Sequence, residues 1–283
     1  MVVALCLAGA LCAGCGKRIK PRTPTPSPGP QPAADAPTDA PPTAPQKSVT
    51  TVHVFVALCD NEHQGIVPVS AALGDGHDPA NNLYWGAMYG VRSFLARAQT
   101  WTLVTEGGGP QPHILKRAVF RHTTHQAFLV ADAYLGARIK AAVTDFLVAA
   151  AGGHRRVHTH GDNVLGLGGS ADMVAYVGHN GLMDVNVRPV SRGPADGDRT
   201  AIVLACKSKP YFLPRLRRLG CRPVLLTTGF MAPEAYTLEA ALEAWLADAT
   251  PAVVRERAAA AYNRYQKCGI AGARRLFFAG AGE

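Results

Sequence analysis

The chain has 283 residues and a formal charge of +9; 48% of its residues are hydrophobic and 17% charged, which allows one good-sized domain with a substantial core plus extensions. Beyond residue 50 the excess is mild, 24 Lys/Arg against 18 Asp/Glu. It forms no basic run or aromatic-interleaved patch, so nucleic-acid binding is excluded as a reading.

The first element in chain order is "MVVALCLAGALCAGCGKRIK", a short apolar segment with small residues before a basic cluster. Spanning a bilayer takes about 20 apolar residues, and this run is shorter. Ala13-Gly14-Cys15 resembles the lipobox of bacterial lipoproteins, with Cys12 where Leu is usual. The resemblance makes Cys15 the lipidated residue, and the alternative is an ordinary cleaved signal. Residues 1–15 are thus expected to be a signal peptide, and 16–47 a Pro-rich linker, because proline at this density favours extended, solvated backbone. Signal, linker and domain together read as a tether to a bacterial envelope membrane, with the outer membrane open as a destination. Of the four remaining cysteines, Cys59, Cys206, Cys221 and Cys268, an exported chain can pair two or all, and spacing does not choose.

The folded domain is expected over 48–283. "TVHVFVALCD" (51–60) is dense in β-branched residues and predicts a buried strand. A long loop over 61–82 follows, of a length often tied to function. Leu83, Ala87, Val91, Phe94 and Ala98 fall at helical spacing. "TWTLVTE" and "HILKRAVFRHT" predict strands on either side of Gly107-Gly108-Gly109-Pro110. Residues 125–150 predict one long helix, with Phe128, Ala131, Leu135, Ile139, Val143 and Phe146 on one face and Gly152-Gly153 closing it. "MVAYVG", "AIVLAC" and "RPVLLTT" predict three more strands. A helix with Leu238, Leu242 and Trp245 inward comes next, then a last helix capped by Thr250-Pro251, running to about Lys267 and stopped by Gly269.

Apolar strands alternating with amphipathic helices predict an α/β domain of three layers, a mainly parallel sheet with helices on both faces. No cofactor is called for, since "GLGGSA" (166–171) precedes a strand and so is no dinucleotide fingerprint. His154, His158 and His160 invite a metal reading, which a solvated polar loop explains equally, and no metal is assigned. No C-x-x-C pair supports a structural zinc.

Two strand ends carry the chemistry. In "ADMVAYVGHNGLMD" (171–184) a hydrophobic strand ends in a glycine turn bearing His179, and "TAIVLACKSKP" (200–210) ends its strand at Cys206. Ligands of open α/β sheets bind beyond the carboxyl ends of the strands. On neighbouring strands these side chains can therefore meet, and a nearby imidazole favours the thiolate. Asp60, Asn61, Glu62 and His63 also follow a strand. They are expected at the same cleft, orienting His179 or binding substrate, or else on a plain surface loop.

"YVGHNG" (176–181) and "VLACKS" (203–208) resemble the signature of the caspase-like cysteine peptidases, the group of caspases, legumains, clostripain and gingipains. Over most of residues 50–250 the order of elements resembles theirs as well. The resemblance implies a caspase-like fold and a Cys206 nucleophile with His179 as base or imidazolium partner. It also implies an oxyanion held by the backbone N–H groups of Cys206 and Asn180, with Gly181 completing the turn. The usual Gly after the histidine is Asn180 here, and an acidic residue two before the cysteine is replaced by Leu204. "LYWGAMYG", "TTGFMAPEAYTLEAAL" and "YNRYQKCG" are similar to a bacterial family with no assigned activity. The expected partner is a peptide or protein substrate, with the membrane engaged through the lipid and the oligomeric state open. The alternative is a non-catalytic envelope module that binds through the same cleft.

Overall fold

In a computed structural model the residues described are 49–193 and 198–280. The expected signal segment, Cys15 and the expected Pro-rich linker lie outside them.

Among the described residues ten strands and six α-helices follow in chain order: β1 (Thr50–Ala57), α1 (Val91–Leu95), β2 (Trp101–Gly108), β3 (Ile114–His122), β4 (Ala127–Tyr134), α2 (Ile139–Ala150), β5 (Arg156–His160), β6 (Asn163–Leu167), β7 (Met173–Gly178), β8 (Thr200–Leu204), α3 (Ser208–Leu219), β9 (Arg222–Thr227), α4 (Ala235–Leu246), α5 (Pro251–Gln266), α6 (Ile270–Leu276) and β10 (Phe277–Phe278). The eight-stranded sheet has the order β10-β9-β8-β7-β1-β4-β3-β2, and β5-β6 form a separate hairpin. From β9 to β4 every neighbouring pair is parallel. β3, β2 and β10 add antiparallel pairs at the two edges.

The central strands are buried on both faces, so they are apolar at nearly every position. One face of the sheet packs Val52, Val54 and Val56 against α4 and α5 through Leu238, Leu242 and Ala258. The other sets Phe55, Val174 and Tyr176 against Phe146 of α2 and Phe212 of α3. The layers are helix, sheet, helix, as the alternation predicts. The hairpin β5-β6 covers the sheet beside α2, with Leu165 and Leu167 against Phe128 and Val130. Among the described residues no helix is long and apolar enough to cross a membrane.

Two elements differ from the sequence reading. Residues 125–150 are not one helix. Their first half is β4, fully buried and paired on both sides by β1 and β3. A strand with no solvated face is apolar throughout, so it also satisfies helical spacing. Between 82 and 98 only Val91–Leu95 is helical. Gly86 and Gly90 press against the carbonyls of Ala80 and Trp85 more closely than a β-carbon allows. Trp85 and Tyr84 turn into the core, while Asn82 takes the backbone N–H groups of Trp85, Gly86 and Ala87 on its one carbonyl. α5, by contrast, ends where expected, at Gln266 with Lys267 as a left-handed cap.

Candidate active site

The chain direction through the sheet makes the site. β1 lies at the centre, β4 is on one side of it, and the crossover through α2 carries the chain to β7 on the other. Connections diverge around β1, and the crevice beyond the strand ends at such a point is where open α/β sheets bind ligands. The ends of β1, β7 and β8 bring Cys59, His179 and Cys206 there. All three border one cavity of about 340 Å³.

His179 follows Gly178, whose φ of +140° and whose approach to the Ala57 carbonyl leave no room for a side chain. The fully buried Tyr176 hydroxyl donates to the His179 carbonyl at 2.7 Å and fixes the turn. The chain then makes a single 3₁₀ turn, Gly181–Met183, with Asn180 as its cap. That turn returns Asp184 to the imidazole, 2.7 Å from Nε2 to Oδ2. An ionised carboxylate only accepts, so Nε2 carries the hydrogen. In the neutral ring Nδ1 is then the basic nitrogen. Asp184 also receives the Gly65 N–H at 2.8 Å, which ties the loop after β1 to the histidine turn.

Cys206 sits two residues beyond β8, at the entry to α3. Its thiol donates to the Met231 carbonyl at 3.4 Å, and the Met231 N–H donates back to the sulfur at 3.4 Å. Lys207 takes the left-handed conformation, φ +48°, uncommon for a residue with a side chain. A buried clasp holds this bend: Ser208 Oγ donates to the Val203 carbonyl and accepts the Thr227 N–H, and the Thr227 hydroxyl donates to the Ala205 carbonyl.

Asn180 and Gly181 are buried behind the cavity. The Asn180 side-chain amide donates to the Cys206 carbonyl at 2.8 Å, bridging the ends of β7 and β8, and its carbonyl accepts the Leu182 N–H. Gly181 lies against Ile139 of α2, where a β-carbon would come to 2.8 Å. The structure does not bring the Asp60 to His63 quartet into the Cys206 cavity. Those residues line a separate pocket with Asp75 and His77. Asp60 closes its own turn by accepting the N–H groups of Glu62 and His63 and the His63 ring, and Asn61 exchanges two hydrogen bonds with Val69.

Asp184, which is bound to His179, and Cys59 and Tyr84, which line the cavity, were not given a site role from the sequence. Asp184 had a signal, five residues after the histidine in a glycine turn. Burial pushes the Cys59 thiol up to about 11, with the Tyr84 hydroxyl pulling the other way. Tyr84 is itself raised well above its ordinary value, by burial first and then by the two neighbouring cysteines. Both are therefore neutral at pH 7. Cys221 lies at the opposite edge of the sheet, before β9, buried and pushed up to about 12. Cys59, Cys206, Cys221 and Cys268 are all free thiols. His158 and His160 stand on β5, and among the described residues no group of three or more His, Cys, Asp or Glu is placed to hold a metal.

No protein-family model, curated protein or solved structure matches the chain.

Proposed function

We propose that the chain is a cysteine-dependent peptide or amide hydrolase related to the caspase-like cysteine peptidases, held at a bacterial envelope by a lipid on Cys15. The observation that carries the reading is the shared cavity: Cys206 and an imidazole backed by Asp184 open into it from the ends of adjacent parallel strands. In the reaction the Sγ proton passes to Nδ1 of His179 as sulfur bonds to the substrate carbonyl carbon. His179 returns that proton to the leaving amine as the C–N bond breaks. Water then gives a proton to Nδ1 as its oxygen bonds to the thioester carbon, and His179 returns that proton to sulfur as the C–S bond breaks, releasing the acid and restoring the thiol. Asp184 holds the ring orientation and stabilises the imidazolium formed in each step.

The test is hydrolysis of a fluorogenic peptide library by the full chain and by Cys206→Ala and His179→Ala. Residues that act as a unit lose comparable rate when removed singly, so both variants are expected to be inactive. Turnover that survives Cys206→Ala, or none by the wild type, overturns the reading.

One observation favours the second reading, a binding module without chemistry. The Cys206 hydrogen is engaged by the Met231 carbonyl, and the cavity around it is mostly apolar. Selective binding by an unreactive Cys206 would establish that reading.

A further inference from the structure

The walls of the Cys206 cavity carry more information than its floor. Ile66, Val69, Leu83, Met231 and Pro233 form the sides. Its ionisable groups are hydrogen-bonded within the fold or neutral. His179 is paired with Asp184, and Cys59 and Tyr84 hold their protons. The Glu234 carboxylate accepts hydrogen bonds from Tyr236 and Gln266 at its back. Glu234 also lines the cavity, and these two neutral donors hold its carboxylate toward Tyr236 and Gln266.

The mouth is apolar as well. Val67 is 88% exposed, Phe230 68% and Met183 38%, three of the six exposed large apolar side chains among the described residues. Scattered single apolar residues need no explanation, but a cluster of them at the rim of a pocket marks a binding surface. The Lys207 ammonium sits 4.3 Å above the Phe230 ring and holds that ring at the entrance. Val67 comes from the loop after β1 and Phe230 from the segment after β9, so they flank the entrance from two separate parts of the chain. A cavity of about 340 Å³ is at the small end of ligand pockets, which run from about 300 to 1,000 Å³. That suits one large side chain.

We infer that this cavity selects a large apolar side chain, of the Leu, Met or Phe type, on a polypeptide whose backbone crosses between Val67 and Phe230. The inference rests on the proposed hydrolase for the choice of a polypeptide and for the position of the cleaved bond, which lies beside the selected residue; binding tests the rest. A polypeptide is favoured over a lipid chain because the cavity, at about 340 Å³, is small and because in the proposed hydrolase Cys206 and His179 at its floor act on a carbonyl.

The experiment has two arms, both on the full chain. In the first, kcat/KM is measured for peptides varied at one position among Leu, Met, Phe, Ala, Asp, Lys and Arg. A pocket built for apolar groups discriminates by roughly 10- to 200-fold per missing group, so the large apolar residues should exceed Ala by at least about 10-fold and the charged ones by more. Phe230→Asp and Val67→Asp, exposed positions that do not support the core, should shrink the ratio of Leu to Ala turnover several-fold. In the second arm, Cys206→Ser is titrated with the same peptides and with a palmitoylated probe by fluorescence anisotropy. Tighter binding of Leu, Met and Phe peptides is expected. Cleavage that prefers charged residues overturns the inference and leaves the hydrolase standing. Apolar-selective binding without cleavage does the reverse. Stronger binding of the palmitoyl probe than of any peptide, or no selective binding, also overturns it.

Discussion

The Asp184 carboxylate lies 2.7 Å from Nε2 of His179, and this contact leaves Nδ1 as the nitrogen that the proposed hydrolase would use as its base. Asp184→Asn keeps the shape of the side chain but lets it present an N–H to Nε2, which moves the ring hydrogen to Nδ1 and removes the base. General-base contributions run to about 10²–10⁴-fold, so kcat/KM should fall by at least about 10²-fold with KM little changed. Asp184→Glu should recover part of it. A readout that structure alone does not move is the pH profile, whose limb assigned to His179 should shift in Asp184→Asn. Wild-type rates in that variant would remove Asp184 from the mechanism.

The thiols give a second test, independent of any substrate. With burial holding Cys59 at about 11 and Cys221 at about 12, both are almost wholly protonated at pH 8 and alkylate slowly. Iodoacetamide with peptide mapping should therefore label Cys206 and the exposed Cys268. His179→Ala should slow labelling at Cys206 and leave Cys268 unchanged. Equal rates at Cys206 with and without His179 would favour the binding module over the hydrolase.

What the sequence reveals and what it hides divide along physical lines. β1, β7, β8 and β9 are legible because strands buried on both faces are short apolar runs bounded by turn residues. The two strand ends that meet at the cavity are legible because His179 stands in a glycine turn and Cys206 closes an apolar run. β4 is not, since Ala127–Tyr134 satisfies strand and helix spacing alike and the break comes only at Leu135-Gly136. α3 hides behind Pro210 and Pro214. The first sits in the opening turn of Ser208–Leu219, where an N–H is not needed; the second removes one hydrogen bond in the interior. The quartet after Cys59 shows the limit of placing residues by sequence order. Asp60 turns back to cap its own loop, so following the strand does not put a side chain at the cavity.

The bend that presents Cys206 should depend on Thr227. Its hydroxyl donates to the Ala205 carbonyl and accepts the Ser208 N–H at 3.1 Å, all fully buried. Thr227→Val keeps the shape and leaves those groups unpaired, which costs about 1–3 kcal/mol. Urea denaturation should show that loss, with Thr227→Ser recovering most of it. Peptide turnover should fall further than stability explains, because Lys207 in its left-handed conformation depends on the same clasp. Unchanged stability in Thr227→Val would mean that the bend is held from elsewhere.

The last expectation concerns acid. Under the β5-β6 hairpin, Asp132 of β4 receives two hydrogen bonds of 2.7 Å from Arg117 and lies 3.0 Å from Nε2 of His53, whose Nδ1 accepts the Gly168 N–H. Burial alone would raise the carboxyl, but the bonds from Arg117 and His53 outweigh it and hold Asp132 below its ordinary value. A carboxyl that is depressed on folding stabilises the protein above its unfolded pKa of about 3.9. That contribution is lost as pH falls from there through the lower folded value. Asp132→Asn leaves Arg117 without its anion, and breaking a buried pair in this way costs about 3–5 kcal/mol near neutrality. The difference in unfolding free energy between wild type and variant should therefore be widest at pH 6–7, on the order of that figure, and narrow below about pH 4. Denaturation at a series of pH values measures it. A gap that stays constant into acid would mean that Asp132 contributes through packing and not through its charge.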